Sequence, residues 1–344
     1  MRAMLYESFG APVSVRDVPE PIAPDGGVVV RVGSSGLCRS DWHAWAGHDG
    51  TVSLPHVPGH EFAGQVSSVG LGVEKWRVGD RVTAPFVNGC GACSWCASGQ
   101  AQVCPNQSQP GFTSWGSHAE FVAISAADLN VVRVPDELSD ADAASLGCRF
   151  ATAFRAVHAR ARVLPNEWVA VYGAGGVGLS AVMIANALGA RVIAVDRSSE
   201  ALELATGLGA EHGVLASPDV ADFVTELTDG GAHVSIDAVG SASTSTAAVK
   251  SLRRRGRFVQ VGLLAPENMP VLPLDRVIAW ELDILGSHGM AAVDYPSMLD
   301  LVKRRVLSPQ SLVVATVSLE NGAEMLPNLD RAPSVGITTV NPKL

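Results

Sequence analysis

The hexapeptide Gly173-Ala174-Gly175-Gly176-Val177-Gly178 constrains the fold of this chain more than any other stretch. It fits G-x-G-x-x-G and directly follows the apolar run Trp168-Val169-Ala170-Val171-Tyr172. It also opens a segment, Gly176 to about Leu188, that reads as helix. Glycines here permit a tight strand-to-helix turn. They also let a pyrophosphate approach the helix N-terminus, where free amide hydrogens and the dipole favour anions. Alone the motif is weak, since glycine turns also occur in unliganded α/β domains. Its flanks strengthen it. Arg191-Val192-Ile193-Ala194-Val195-Asp196 reads as the next buried strand, and Asp196 stands about 20 residues past the motif, where an acid would bind both ribose hydroxyls. A carboxylate there repels a 2′-phosphate and favours NAD over NADP, while Arg197 beside it could accept that phosphate.

The same alternation continues downstream. Glu200 to Leu208 reads as helix, and His233–Ala238, Gly256–Gly262 and Leu282–Gly286 read as strands. Strands alternating with helices imply a parallel, doubly wound sheet. Upstream the pattern differs. Val28–Val32 and Phe62–Gly70 are short strands, and the stretch from Val73 to Val82 leads into a further one; the Gly and Asp punctuation suggests a folded, barrel-like sheet and not a βαβ array. Pro135 to Phe154 reads as a helical run with Asp136 and Ser139 as caps. The chain, 344 residues long, is too long for one core, so about two domains are expected. The tail from about Met290, with a helix at Tyr295–Lys303, is assigned back to the first of them.

Six cysteines in a long, core-rich chain without an export signal favour metal or catalytic use over disulfides. Cys90, Cys93, Cys96 and Cys104 are spaced C-x2-C-x2-C-x7-C. Four thiolates on a short glycine-rich loop can close a tetrahedron around zinc, leaving no open position, so this site is expected to be structural. Disulfides, a redox C-x-x-C and an iron–sulfur cluster are the alternatives. Cys38 and Cys148 remain, and with His60 they make a Cys2His set with one position open for water or a substrate oxygen. Glu61 could enter the coordination sphere transiently or stand behind it, and Asp41 could orient His60 from outside. In Gly36-Leu37-Cys38-Arg39-Ser40-Asp41-Trp42-His43, His43 is a candidate base and Ser40 a hydroxyl able to pass a proton. No such company surrounds His48, His56, His118, His158, His212, His233 or His288. Trp42, Trp45, Phe86 and Trp115 are either pocket linings or ordinary core.

The net charge of −9, with no basic run longer than Arg253-Arg254-Arg255, argues against nucleic acid as the main partner. No signal peptide is visible at Met1–Tyr6, and no apolar stretch reaches about 18 residues, so no membrane span and a cytoplasmic location are expected.

Taken in order, these pieces resemble the zinc-dependent medium-chain alcohol dehydrogenases. The match runs through Gly36–Asp41, Gly59-His60-Glu61, the four-cysteine lobe, Gly147-Cys148, the glycine motif and Asp196. The resemblance implies an α/β protein in which a GroES-like β-rich catalytic domain, residues 1–148 and 290–344, is interrupted by a doubly wound Rossmann NAD-binding domain, residues 149–289. The active site is then expected in the cleft between them. It implies two zinc ions per chain, a catalytic one on Cys38, His60 and Cys148 with Glu61 nearby, and a structural one in the lobe. That Cys2His set is a comparison borrowed from the family. It further implies a proton path from Ser40 through the cofactor ribose to His43. Arg39 is expected at the pyrophosphate, and Val261 and Ser287 near the nicotinamide. The expected reaction interconverts a small alcohol and its aldehyde or ketone with NAD, in a homotetramer or homodimer. A polyol or amino-alcohol dehydrogenase and an NADP-linked carbonyl reductase are the alternatives on the same scaffold. Arg149, directly after Cys148, is the main departure from the family pattern.

Overall fold

A computed structural model of the chain describes residues 1–265, 268–331 and 335–344. The chain divides into two compact units, Met1–Ala151 with Gly289–Leu344, and Thr152–His288.

The first unit is built on a sheet that contains seven strands among the described residues. Its longest strand, Val28–Leu37, pairs antiparallel with Phe62–Val69, Phe121–Ile124 and Ile337–Val340. Val28, Val30 and Val32 point to one face, as the two-residue period of a strand requires, and pack with Phe62, Val66, Val82, Val122 and Ile124 in a buried core. The register places Ser35 opposite Phe62, and the Gly36 amide donates to the Glu61 carbonyl at 2.7 Å. Cys38 and His60, just beyond the paired ends, are thereby brought together. The Ile337–Val340 strand comes from the tail, which closes the sheet from the far end of the sequence.

The helical run expected over Pro135–Phe154 begins later, at Asp140, continues to Arg160, and is less regular than its alanine content suggests. Asp140–Ala144 is α-helical and capped by Ser139, whose hydroxyl accepts the Asp142 amide. Leu146–Phe150 then widens into a π-helical turn that carries Cys148 and Arg149. Such a turn inserts a residue into the helical repeat and redirects the side chains on it. The turn is pinned from outside: Tyr295 donates its hydroxyl to the Leu146 carbonyl at 3.0 Å, and the Phe86 amide donates to the Gly147 carbonyl at 3.0 Å.

The second unit is a parallel sheet of six strands among the described residues. Their order is His212–Leu215, Arg191–Asp196, Trp168–Tyr172, Ala232–Asp237, Leu252–Gln260, Asp283–Gly286. Trp168–Tyr172 is buried at every position, as a central parallel strand covered on both faces should be. The helices Gly176–Ala187, Ser199–Gly207, Val220–Leu227 and Ala242–Lys250 link the strands. Among the described residues no helix is long and apolar enough to cross a membrane.

Candidate active site

Cys38 leads into the helix Arg39–Trp45, and the Asp41 carboxylate in the first turn accepts the Cys38 amide at 2.9 Å. Asp41 is fully buried. Its oxygens also accept the Gly59 amide at 3.1 Å and His60 Nδ1 at 2.8 Å, while His118 Nε2 lies 3.5 Å away, long for a hydrogen bond. Burial opposes ionisation of Asp41, but the His60 charge and the His118 and His60 contacts outweigh it and hold the carboxyl far below its ordinary range. An ionised carboxylate only accepts, so His60 Nδ1 must carry the proton. In the neutral ring that a metal would bind, the lone pair is then on Nε2, which is buried and has no protein hydrogen-bond partner.

That orphaned acceptor belongs to a cluster. One donor atom each from Cys38, His60, Glu61 and Cys148 lie within 4.8 Å of one another. The contact to Cys148, aided by the Arg149 and His60 charges against the opposing effect of burial, pulls the Cys38 thiol well below its usual range. The contact to Cys38 and burial push Cys148 well above it. Two thiols this close share one proton unless a cation is present. A buried imidazole lone pair facing two thiols is a donor set that fits zinc, and it is left unsatisfied by the protein alone. The rings of Phe112 and Phe86 stand 5.1 and 6.1 Å from the His60 ring, so the surroundings on that side are apolar.

Glu61, by contrast, is fully engaged. Its Oε1 accepts the Arg149 amide at 2.8 Å and Arg149 Nε at 3.0 Å, and its Oε2 takes Nε at 3.0 Å and contacts Nη2. Both side chains are buried. Burial raises the Glu61 pKa against the pull of Arg149.

Ser40 and His43 lie three residues apart on the Arg39–Trp45 helix and therefore on one face of it. His43 Nδ1 meets His48 Nδ1 at 3.0 Å, a contact that needs one neutral ring to accept. Burial and the Arg39 charge lower the His43 pKa. Arg39 itself is exposed and pairs with Asp330 at 2.6 Å. Trp42 and Trp45 line a cavity of about 400 Å³ with Gly10, Pro327, Asp330 and Arg331. Trp115 instead donates to the Pro55 carbonyl at 3.0 Å.

Cys90, Cys93, Cys96 and Cys104 form the second cluster, again within 4.8 Å. Cys93 Sγ is 3.5 Å from Cys96 Sγ and 3.6 Å from Cys104 Sγ. These spacings exceed any disulfide bond and approach the ~3.8 Å edge of a tetrahedron with ~2.3 Å metal–sulfur bonds. Amides of Cys90, Ala92 and Cys96 point at sulfurs of the cluster, as they would at thiolates. The Ala92 amide draws the Cys90 thiol down to about 7, while burial pushes Cys96 up to about 12. A Cβ on Gly89 would lie 2.8 Å from Cys96 Sγ, so glycine is required at this approach.

In the second unit the expected cofactor residues gather at the carboxyl ends of the strands, where open α/β sheets bind ligands. Gly173 turns the chain with φ +96°, and a Cβ on Gly178 would lie 1.7 Å from the Gly173 carbonyl oxygen. Gly175 caps the helix Gly176–Ala187 without a side chain, and Val177 lies in its first turn, where the amides have no partner within the helix. Asp196 accepts the Ala174 amide at 2.6 Å and the Ser198 amide at 2.9 Å, which aims it at the turn. Arg197 is exposed. Val261 and Ser287 follow adjacent strand ends, and the buried Ser287 hydroxyl has no partner.

His48, His118 and Phe112 complete these surroundings although nothing local in the sequence marks them. His118 is bonded to Ser35 at 2.9 Å, across 83 positions. Only the pairing of distant strands brings it to Asp41.

Residues 24–136 match the alcohol dehydrogenase GroES-like domain family, and residues 176–304 match the zinc-binding dehydrogenase family. An alcohol dehydrogenase of Geobacillus stearothermophilus is 40% identical over 284 residues, 81% of this chain and 82% of that one. The D-arabitol-phosphate dehydrogenase of Enterococcus avium is 32% identical over 90% of this chain and 88% of that one. The crystal structure of the alcohol dehydrogenase from Aeropyrum pernix superposes with a TM-score of 0.90 at 30% identity, covering 99% of this chain and 100% of that one.

Proposed function

The chain belongs to the zinc-dependent medium-chain alcohol dehydrogenase family, and from that premise we propose that it oxidises small apolar alcohols to aldehydes or ketones with NAD, and runs the reverse reduction. The observation that carries this reading is the buried Cys38–His60–Cys148 cluster, with His60 Nε2 unpartnered and Nδ1 held by Asp41. Cys38, His60 and Cys148 would hold the catalytic zinc, and Cys90, Cys93, Cys96 and Cys104 a structural one. Zinc supplies a Lewis acid that favours the deprotonated form of the alcohol oxygen, and NAD supplies the hydride acceptor. The unit of residues 1–148 and 290–344 serves as the catalytic domain and residues 149–289 as the cofactor domain. The protein works as a cytoplasmic homotetramer or homodimer.

The chain's own residues then have distinct tasks. Ser40 takes the hydroxyl proton, and His43 with His48 carries it to solvent. Asp41 fixes the His60 tautomer. Phe86 and Phe112 keep the substrate side dry. Asp196 receives the ribose hydroxyls, the Gly173–Gly178 turn and Arg39 the pyrophosphate, and Val261 and Ser287 the nicotinamide end. The decisive experiment measures zinc per chain and follows NAD and NADP reduction over a panel of alcohols and polyols. Two zinc ions and NAD-linked turnover favouring apolar alcohols are expected; a polyol preference would move the reading to the sugar-alcohol enzymes.

Two variants test individual roles. Asp196→Ala should raise KM for NAD by about tenfold to a hundredfold, the loss of one charge-assisted hydrogen bond, with kcat little changed. An unchanged KM would remove Asp196 from the ribose site. His43→Ala should lower kcat by roughly ten- to a hundredfold at neutral pH, at the low end of acid–base contributions, with partial rescue by added imidazole. Full activity without rescue would place the proton path elsewhere.

A further inference from the structure

The Glu61–Arg149 pair is the feature of the metal centre that nothing above explains. Glu61 is fully buried, and one of its oxygens lies within 4.8 Å of the donor atoms of Cys38, His60 and Cys148. A buried carboxylate needs a cationic partner. Two are within reach here, an ion at the cluster and Arg149. Arg149 is equipped to win. Its backbone amide and Nε occupy Oε1, and Nε and Nη2 occupy Oε2, so both oxygens are held in a planar, two-point grip. A third position makes room for the pair. A Cβ on Gly36 would lie 2.2 Å from Glu61 Oε2 and 2.9 Å from Arg149 Nη2. The strand Val28–Leu37 thus leaves out a side chain just where the pair passes.

We propose that Arg149 is the positioning residue of this centre, holding the Glu61 carboxylate out of the metal's ligand set so that the fourth position stays open to a substrate oxygen. This rests on the reading of Cys38, His60 and Cys148 as the metal's ligands. Charge balance explains the need. Two thiolates and a neutral imidazole neutralise a dication. An added carboxylate would make the centre anionic and fill the vacancy, while Arg149 cancels that carboxylate where it stands.

The test replaces zinc by cobalt(II) and records the visible absorption without substrate. Wild type, Arg149→Met, Arg149→Met with Glu61→Gln, and Gly36→Ala are compared as difference spectra over the constant four-cysteine background. In Arg149→Met the freed carboxylate binds the metal, so the ligand-field bands shift, and release to a chelator slows on the order of tenfold. The double variant restores the wild-type bands because it removes the competing anion; a merely structural role for Arg149 would not be reversed this way. Gly36→Ala keeps both charges but displaces the pair, and should shift the bands in the same sense. It decides the question if Arg149→Met does not fold. Wild-type bands in Arg149→Met, or in Gly36→Ala where that alone folds, overturn the proposal. So does a double variant that keeps the shifted bands. Wild type that takes up cobalt only in the lobe would instead overturn the metal assignment itself, before any variant is compared.

Discussion

Cys38→Ser is expected to fold, to retain one zinc ion where two are proposed for the wild-type chain, and to lose about a thousandfold or more of kcat/KM for alcohol oxidation. The magnitude follows from the several kcal/mol of charge stabilisation that a Lewis acid contributes at a developing negative oxygen. Serine is close to cysteine in size, and Cys38 is only 6% exposed, so the surrounding core is little disturbed. What changes is the donor: an alkoxide is far less accessible than a thiolate at neutral pH, and the site drops to one thiol and one imidazole. NAD binding should persist, because the Gly173–Gly178 turn and Asp196 belong to the other unit. Metal analysis, a melt, a turnover assay and a cofactor titration on one preparation check all four statements. Retained activity with one zinc ion lost, or full zinc with activity lost, would contradict the assignment of Cys38 as a catalytic ligand. Cys148→Ser should behave in the same way.

Residues whose chemistry is bound to a local spacing could be read before any coordinates. The four lobe cysteines lie within 15 consecutive positions, and the glycine motif with its flanking strands declares a parallel sheet by itself. His60 and Cys148 are singled out for a different reason: Glu61 stands beside His60, two cysteines are left over from the lobe, and the family resemblance groups them with Cys38. Arg149 was visible as an oddity, but not its partner, because Glu61 is 88 residues away and the two meet only through a π-helical turn. Alanine-rich sequence predicts helix there and gives no sign of the widened turn, which depends on Tyr295 and Phe86 gripping its carbonyls. His118 and Phe112 escaped notice on similar grounds. Each acquires a role only from distant chain that meets in the fold: His118, on a bend, bonds Ser35 and faces Asp41, and Phe112, on a turn, stands against His60. His48 escaped because the short turn Ala46-Gly47 carries it back to His43, its amide donating to the His43 carbonyl at 3.0 Å.

Cys93→Ser acts on stability where Cys38→Ser acts on chemistry. The Cys93 sulfur is in contact with those of both Cys96 and Cys104 and accepts the Cys96 amide. The lobe has almost no apolar core of its own: Cys96, Cys104, Ala101 and Ala291 are its buried members, with Cys90, Cys93 and Leu129 packed beside them. Trp95, its largest apolar side chain, is 51% exposed. Sulfur and the proposed metal would therefore replace hydrocarbon as the interior, and metal affinity would become folding free energy for this segment. Removing one thiolate should release the lobe's zinc and destabilise the unit that carries it by about 3 kcal/mol or more. For a unit of this size that lowers Tm by roughly 6–12 °C. The protein that remains folded should keep turnover within a few-fold of wild type, since the proposed ligands Cys38, His60 and Cys148 are untouched. Protease cleavage between Cys90 and Cys104 should quicken in step, because a segment without its metal opens more often than the sheet behind it. A variant that melts with the wild type and still binds two zinc ions would show that the lobe is held by packing and not by a metal. One that melts normally but loses turnover would exchange the roles of the two cysteine clusters.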